Sequence, residues 1–214
     1  FDLAKSKDRL GFGRGHVVGQ TKVELDSYRI KQKLKDDTFE IEKAKIEDKY
    51  DVKPIVKIDA IGWISIKTHG RDDRMTINGE YNYTAVLDFL ILELAKRKFN
   101  IAGITFDQFQ SLMMTQTLND KGFNTDLISL DRTDEIPVAA KYAVLENRVE
   151  RPFCLLLSTE AKYLKYINGK KVDHSKRTSK DVFDAFAGTI YNCEHNQGTG
   201  GTFVDLNSST EEDD

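Results

Sequence analysis

Apolar and polar positions alternate along "PIVKIDAIGWISI", residues 54–66, and the β-branched content of this run predicts a strand. The spacing then changes. Val86, Leu87, Leu90, Ile91 and Leu94 recur at helical intervals, so residues 83–98 predict a helix with one face toward a core. "IAGITFD" is a short apolar run that stops at Asp107, and it precedes a helical stretch to about Lys121. "FNTDLISL" reads as a further strand, and residues 137–150 as a helix with Pro near its start. Residues 158–167 predict a helix with Ser158 or Thr159 as N-cap, and residues 178–193 predict the last one. At the front, "FDLAKSKDRLGFGRGHVVG" predicts a short strand ending at residues 2–4, a polar turn and a second strand through residues 12–18.

The order is strands first, then a helix, then strand and helix in alternation. That order predicts an α/β fold: a mixed sheet, with an antiparallel meander continued by parallel strands, flanked by helices. Two segments stand apart. Residues 29–53 are charged at 15 of 25 positions with few apolar anchors, the pattern of a solvated helix or a protruding hairpin arm. Beyond the last helix, Gly198, Gly200 and Gly201 lead into a polar tail expected to lack fixed structure. The expected division is a domain over residues 1–194 and an acidic tail over 195–214. Because the chain opens at Phe1 with a strand already under way, we read it as a piece of a longer polypeptide.

Charge changes this picture only when it is divided. The formal net charge is −3, yet residues 194–214 hold six acids and no Lys or Arg. The remainder carries 32 basic against 29 acidic residues, a mildly basic body whose meaning depends on clustering. The two cysteines, Cys154 and Cys193, sit in apolar surroundings without CxxC spacing, which predicts reduced core thiols rather than a disulfide or zinc site. No run approaches the length of a membrane span.

The last helix raises a chemical question. "SKDVFDAFAG", residues 179–188, places Asp181 and Asp184 in the first turns of a helix that otherwise reads as buried. At about 100° per residue, Asp181, Asp184, Ala185 and Gly188 share one stripe, beside the bulky Val182, Phe183, Phe186 and Ile190. Small residues on the stripe allow close approach to the sheet. Carboxylates at its head would then face that sheet, where unpaired negative charge is costly. Asp107 closes a strand and Asp2 lies in the first one, and ligand groups in open α/β sheets collect at the carboxyl ends of strands. Three such carboxylates, without cysteine ligands, suit hard divalent cations such as Mg²⁺ or Mn²⁺. Taken singly, Asp181 could serve only the helix dipole, and Asp107 only a cap.

Four blocks carry a family likeness: "FDLAKSKDRLGFGRGH", "NIAGITFDQFQS", "KYAVLENRVERP" and "KVDHSKRTSKDVFDAFAGTIY". Together they resemble the nuclease domain of the large terminase subunit of tailed bacteriophages, over residues 2–191, with residues 29–53 least matched. The resemblance implies a ribonuclease-H-like fold and a metal-dependent endonuclease that cuts concatemeric double-stranded viral DNA with two divalent ions. It implies an ATPase motor domain in the same full-length chain, the portal and the small terminase subunit as partners, no membrane association, and the host cell cytoplasm during phage assembly as the location. Matched position by position, Asp2, Asp107 and Asp181 correspond to the metal-holding catalytic acids. Asp8 and Asp184 correspond to further acids that support the metals or stabilise structure. His174 sits where the family commonly shows "DHP", here with Ser175 in place of Pro, and a loop-ordering role is expected for it.

Residues 162–180 contain Lys162, Lys165, Lys170, Lys171, Lys176, Arg177 and Lys180 against the single acid Asp173. Such clustering predicts phosphate contacts, although a solvated loop would share the composition. Arg9 and Arg14 are candidates for the other side of the substrate, and Gln108, Gln110 and Ser111 for its backbone oxygens. "GFGRGHVVG" lacks both the GxxxxGK[ST] pattern and a strand-to-helix setting, so its glycines predict a bulged strand rather than a nucleotide site. Two competing readings share these features: a resolvase- or transposase-like nuclease of the same fold, and a non-catalytic module that docks DNA or the portal.

Overall fold

The computed structural model of the chain describes residues 9–24, 50–65, 74–77, 80–92, 96–107, 112–130, 134–167, 171–174 and 179–195. Asp2, Asp8, Gln108, Gln110, Ser111, Lys170, Ser175, Lys176, Arg177, residues 29–49 of the charged segment and the tail from residue 196 lie outside the described residues.

Two long strands come first: β1 (Arg9–Glu24) and β2 (Tyr50–Ser65). The short β3 (Thr76–Ile77) and β4 (Glu80–Tyr81) pair with each other before α1 (Tyr83–Leu87), which continues into a π turn over Asp88–Leu92. Then come β5 (Ile104–Asp107), α2 (Leu112–Asp120), β6 (Thr125–Ile128), α3 (Glu135–Leu145), β7 (Val149–Glu150) and α4 (Leu155–Lys162). The hairpin β8 (Lys165–Ile167) and β9 (Lys171–Asp173) leads to α5 (Asp181–His195). β1 pairs antiparallel with β2, β2 pairs parallel with β7, and β5 pairs parallel with β6. The fold is thus mixed α/β, with antiparallel and parallel strands flanked by helices. No helix among the described residues is long and apolar enough to cross a membrane.

The β1–β2 ladder is not uniform. Arg14 pairs with Ala60 while Gly15 pairs with Ile58, so Asp59 is an extra residue in β2; Val18 is likewise extra in β1 between Val17 and Gly19. A bulge exchanges the faces on either side of it. Val56 and Ile58 therefore share a face with Ile61, three residues on, and pack with α3, α4 and α5 around Leu130, Ile136, Leu157, Val182, Phe186 and Ile190. Leu10 and Ile64, which pair with each other, face the opposite core with Val86, Phe106, Met114 and Leu118. The glycine-rich run was expected to bulge, and it does once, at Val18; the other shift faces it from β2, at Asp59.

Several boundaries differ from the sequence pattern for local reasons. The helix expected over residues 137–150 ends at Leu145, because Asn147 takes a left-handed conformation (φ 54°) and Arg148 N–H turns back to Ala143 O at 2.9 Å. Neither Ser158 nor Thr159 caps a helix. Their hydroxyls donate to Cys154 O (3.1 Å) and Leu155 O (2.9 Å) inside α4, which starts at Leu155 and stops at Lys162; the expected continuation to Ile167 is the strand β8. In the helix expected over 83–98, the π turn suits Val86 and Ile91, which are five apart and both buried. Residues 50–53 of the charged segment belong to β2, paired with residues 21–24.

Candidate active site

The last helix lies closely on β1. A Cβ on Gly11 would overlap the Asp181 carbonyl oxygen, and one on Gly13 would collide with Thr189 Oγ1 and sit 2.9 Å from Ala185 O. Absence of side chains at these two positions lets β1 run along α5 in the same direction. Small residues on the helix stripe answer them, since Ala185 faces Gly11, while Gly188 faces Ile128 of β6.

β5 takes the opposite direction beneath the helix. Asn192 Nδ2 donates to Thr105 Oγ1 at 2.6 Å, and Ile128, the register partner of Asp107, meets Gly188 one turn nearer the helix start. The carboxyl end of β5 therefore points toward the head of α5. From Gly188 to Asp181 is two turns, an axial distance on the order of 10 Å at 1.5 Å per residue. Asp107 and Asp181 are both half-buried on this line. Among the described residues, no three His, Cys, Asp or Glu side chains form a metal-holding group. Asp2 and Asp8 fall outside the described residues, although Asp8 is bonded directly to Arg9, whose N–H donates to Asp181 Oδ2 at 3.3 Å. The available donors are carboxylate oxygens, the right chemistry for Mg²⁺ or Mn²⁺.

Asp184 has a different setting. It is 4% exposed, Lys180 is 7% exposed, and Lys180 Nζ meets Asp184 Oδ2 at 2.5 Å. Lys180 was expected to contact phosphate; its ammonium instead neutralises Asp184 one turn along the same helix, a geometry that suits the structural role left open for that acid. Arg9, Arg14 and Lys171 are also engaged. Arg9 Nη1 donates to Ser179 Oγ (2.7 Å) and Glu160 Oε1 (3.4 Å). Arg14 lies 3.8 Å from Asp59 Oδ2, its guanidinium 5.0 Å from the Phe99 ring centroid. Lys171 lies 3.3 Å from Asp173 on the β8–β9 hairpin. Arg9, Arg14 and Lys171 remain more than a third exposed.

His174 donates its backbone N–H to Asp173 Oδ1 at 2.8 Å, and its Nε2 is 3.8 Å from the same oxygen. Burial raises the Asp173 carboxyl, but the His174 N–H and the Lys171 ammonium outweigh it and hold the group below its ordinary value.

Glu160 was not foreseen. It is 2% exposed, and its Oε2 accepts the backbone N–H groups of Val182 and Phe183, both at 2.9 Å, while Oε1 accepts the Ser179 hydroxyl at 2.9 Å. Burial pushes its carboxyl above the ordinary range; the Phe183 N–H, the Ser179 hydroxyl and the Val182 N–H oppose this, and the Asp181 charge adds to it. The only signal in the sequence is an acid within the apolar "CLLLSTEAKYL". No family model matches the chain, nor does any curated protein or solved structure.

Proposed function

We propose that this chain is a metal-dependent endonuclease of the large-terminase type, with a ribonuclease-H-like arrangement of its mixed sheet. The observation that carries the reading is the opposed run of β5 and α5, by which the strand end bearing Asp107 runs toward the helix head bearing Asp181. Carboxylates from a strand end and a helix start, Asp107 and Asp181, together with the sequence-matched Asp2 and Asp8, would be the donors for two Mg²⁺ or Mn²⁺ ions. Such ions supply an activated water and neutralise the leaving oxygen of a phosphodiester.

The protein's own part is to hold these acids apart and oriented. The head of α5 is fixed from below by β1, where Gly11 leaves room for the Asp181 main chain, and Arg9 N–H orients its carboxylate. Arg9, Arg14 and Lys171, each more than a third exposed, are the described cations offered to double-stranded DNA, and Lys170, Lys176 and Arg177 join them by their place in the basic sequence cluster. His174 orders the end of β9 through Asp173. The motor domain, portal, small subunit and host cytoplasm belong to this reading as its expected setting.

A second reading, a non-catalytic module that docks DNA or the portal, is favoured by the Lys180–Asp184 pair, which commits one candidate acid to structure. Plasmid nicking and linearisation in Mn²⁺, Mg²⁺, Ca²⁺ or EDTA separate the two. The nuclease reading expects cleavage in Mn²⁺ or Mg²⁺ that disappears in EDTA and in a folded Asp107→Asn variant. Retarded but uncut DNA under every condition selects the docking module. Cleavage that survives Asp107→Asn removes the metal assignment.

A further inference from the structure

The residue preceding α5 cannot cap it. Lys180 accepts Asp184 N–H through its carbonyl at 2.7 Å, the N-cap position, where Ser, Thr, Asp or Asn would also accept a first-turn N–H through the side chain. An ammonium has no lone pair to offer. Two first-turn amides, Val182 and Phe183, are satisfied instead by one oxygen of Glu160, from α4. A carboxylate there also meets the positive end of the helix dipole.

The second oxygen extends the connection. Glu160 Oε1 accepts from Ser179 Oγ (2.9 Å) and from Arg9 Nη1 (3.4 Å), and Arg9 Nη1 donates to Ser179 Oγ (2.7 Å). Arg9 is the first residue of β1, and its main-chain N–H bonds Asp181. One buried carboxylate thus ties α4, the approach to α5 and the start of β1 to the turn that bears Asp181.

We propose that Glu160 is a positioning residue for Asp181: it fixes the first turn of α5 so that the Asp181 carboxylate keeps its place against Arg9 N–H at the start of β1. The inference rests on the nuclease reading above. Glu160 itself is too buried to reach substrate, so its effect on the site is read through divalent-ion affinity. Glutamine replaces it only in part: with its carbonyl oxygen on the Val182 and Phe183 N–H groups, its NH₂ can donate to the Ser179 hydroxyl but meets only a donor at Arg9, and the negative charge at the helix head is lost.

The test measures Mn²⁺ binding by the electron paramagnetic resonance of free Mn²⁺, together with plasmid cleavage across Mn²⁺ and DNA concentrations. It compares the wild-type chain, Glu160→Gln and Ser179→Ala, with folding checked by circular dichroism. The expected result for Glu160→Gln is a Mn²⁺ affinity lower by about 10-fold or more, as for other groups that orient metal ligands. Cleavage should recover toward the wild-type rate at saturating Mn²⁺. A purely structural role would instead lower the active fraction equally at every Mn²⁺ concentration. A folded Glu160→Gln with wild-type Mn²⁺ affinity overturns the inference. Should Glu160→Gln fail to fold, Ser179→Ala decides: it removes one donor to Oε1, and unchanged Mn²⁺ affinity then overturns the proposal. A wild-type chain that neither binds Mn²⁺ nor cuts DNA overturns the nuclease reading itself, a separate outcome.

Discussion

Lys180 and Asp184 form a buried ion pair within one turn of α5, Nζ to Oδ2 at 2.5 Å. The pair answers why an acid stands among Phe183, Ala185, Phe186 and Ala187: its charge is neutralised by the residue that starts the helix. Breaking one side leaves a buried charge without compensation. Lys180→Met is expected to cost about 3–5 kcal/mol, whereas Lys180→Met combined with Asp184→Leu should restore most of it. Urea unfolding of the single and double variants checks this. A single variant as stable as wild type would show that water reaches Asp184.

The close seating of α5 on β1 makes a second prediction. Gly11→Ala forces a methyl into the Asp181 carbonyl and should cost about 1–3 kcal/mol or more, since neither backbone has slack. Gly19→Ala is the control, because its added Cβ would meet only Ile55 Cδ1, at 3.9 Å. The control should stay within about 1 kcal/mol of wild type. Thermal unfolding distinguishes them, and equal effects would refute the contact.

Among the described residues, Arg148 is the largest fully buried side chain. It donates to Glu146 (2.7 Å), Glu194 (2.7 Å) and Pro54 O (2.9 Å), joining the end of α3, the end of α5 and β2. Arg148→Ala strands two carboxylates and a carbonyl, so a loss of about 3–5 kcal/mol is expected in denaturant unfolding. Glu194, counted with the acidic tail by sequence composition, is thus an anchor of α5.

Burial pushes the Cys193 thiol from its ordinary 9.0 to about 11, and the charges of Asp59 and Glu194 add to the shift. The folded form keeps its proton where the unfolded form loses it, so this group's contribution to stability falls as pH rises from about 9 to about 11. Thiolate is the reactive species, and at pH 8 Cys193 should carry roughly a hundredth of the thiolate of an ordinary cysteine. Iodoacetamide modification of the native chain, read by mass spectrometry, should therefore be slow at this site and fast after denaturation. Rapid native labelling would contradict the buried environment.

Much of this was legible where the cause is local. The alternation of residues 54–66 and the apolar stripe of α5 announce their elements because burial on one face dictates the period. The glycine-rich run announced its bulge at Val18, though not the one opposite it at Asp59, and the small residues of α5 announced its close approach. What the pattern hid was set by distant partners. Ser158 and Thr159 look like caps, yet their hydroxyls bond back inside a helix already begun, and the true cap of α5 is Glu160, some twenty residues upstream. Lys180 looks like one more surface cation until Asp184 is placed beside it. A one-dimensional pattern carries the period of an element, not the identity of the group that satisfies its ends.

Asp59, the extra residue of β2, also governs how the hairpin can zip. Ile58 and Ile61 face the same core only because the bulge lies between them, while Ile64 faces the other. A one-residue slip would turn these isoleucines toward the wrong sides, so no neighbouring alignment buries both sets. Asp59 also receives His16 Nδ1 at 2.9 Å, a bond that fixes which residue is looped out. The bulge is therefore a proofreading device for strand alignment: it makes the native pairing of two sixteen-residue strands the single solution that serves both cores.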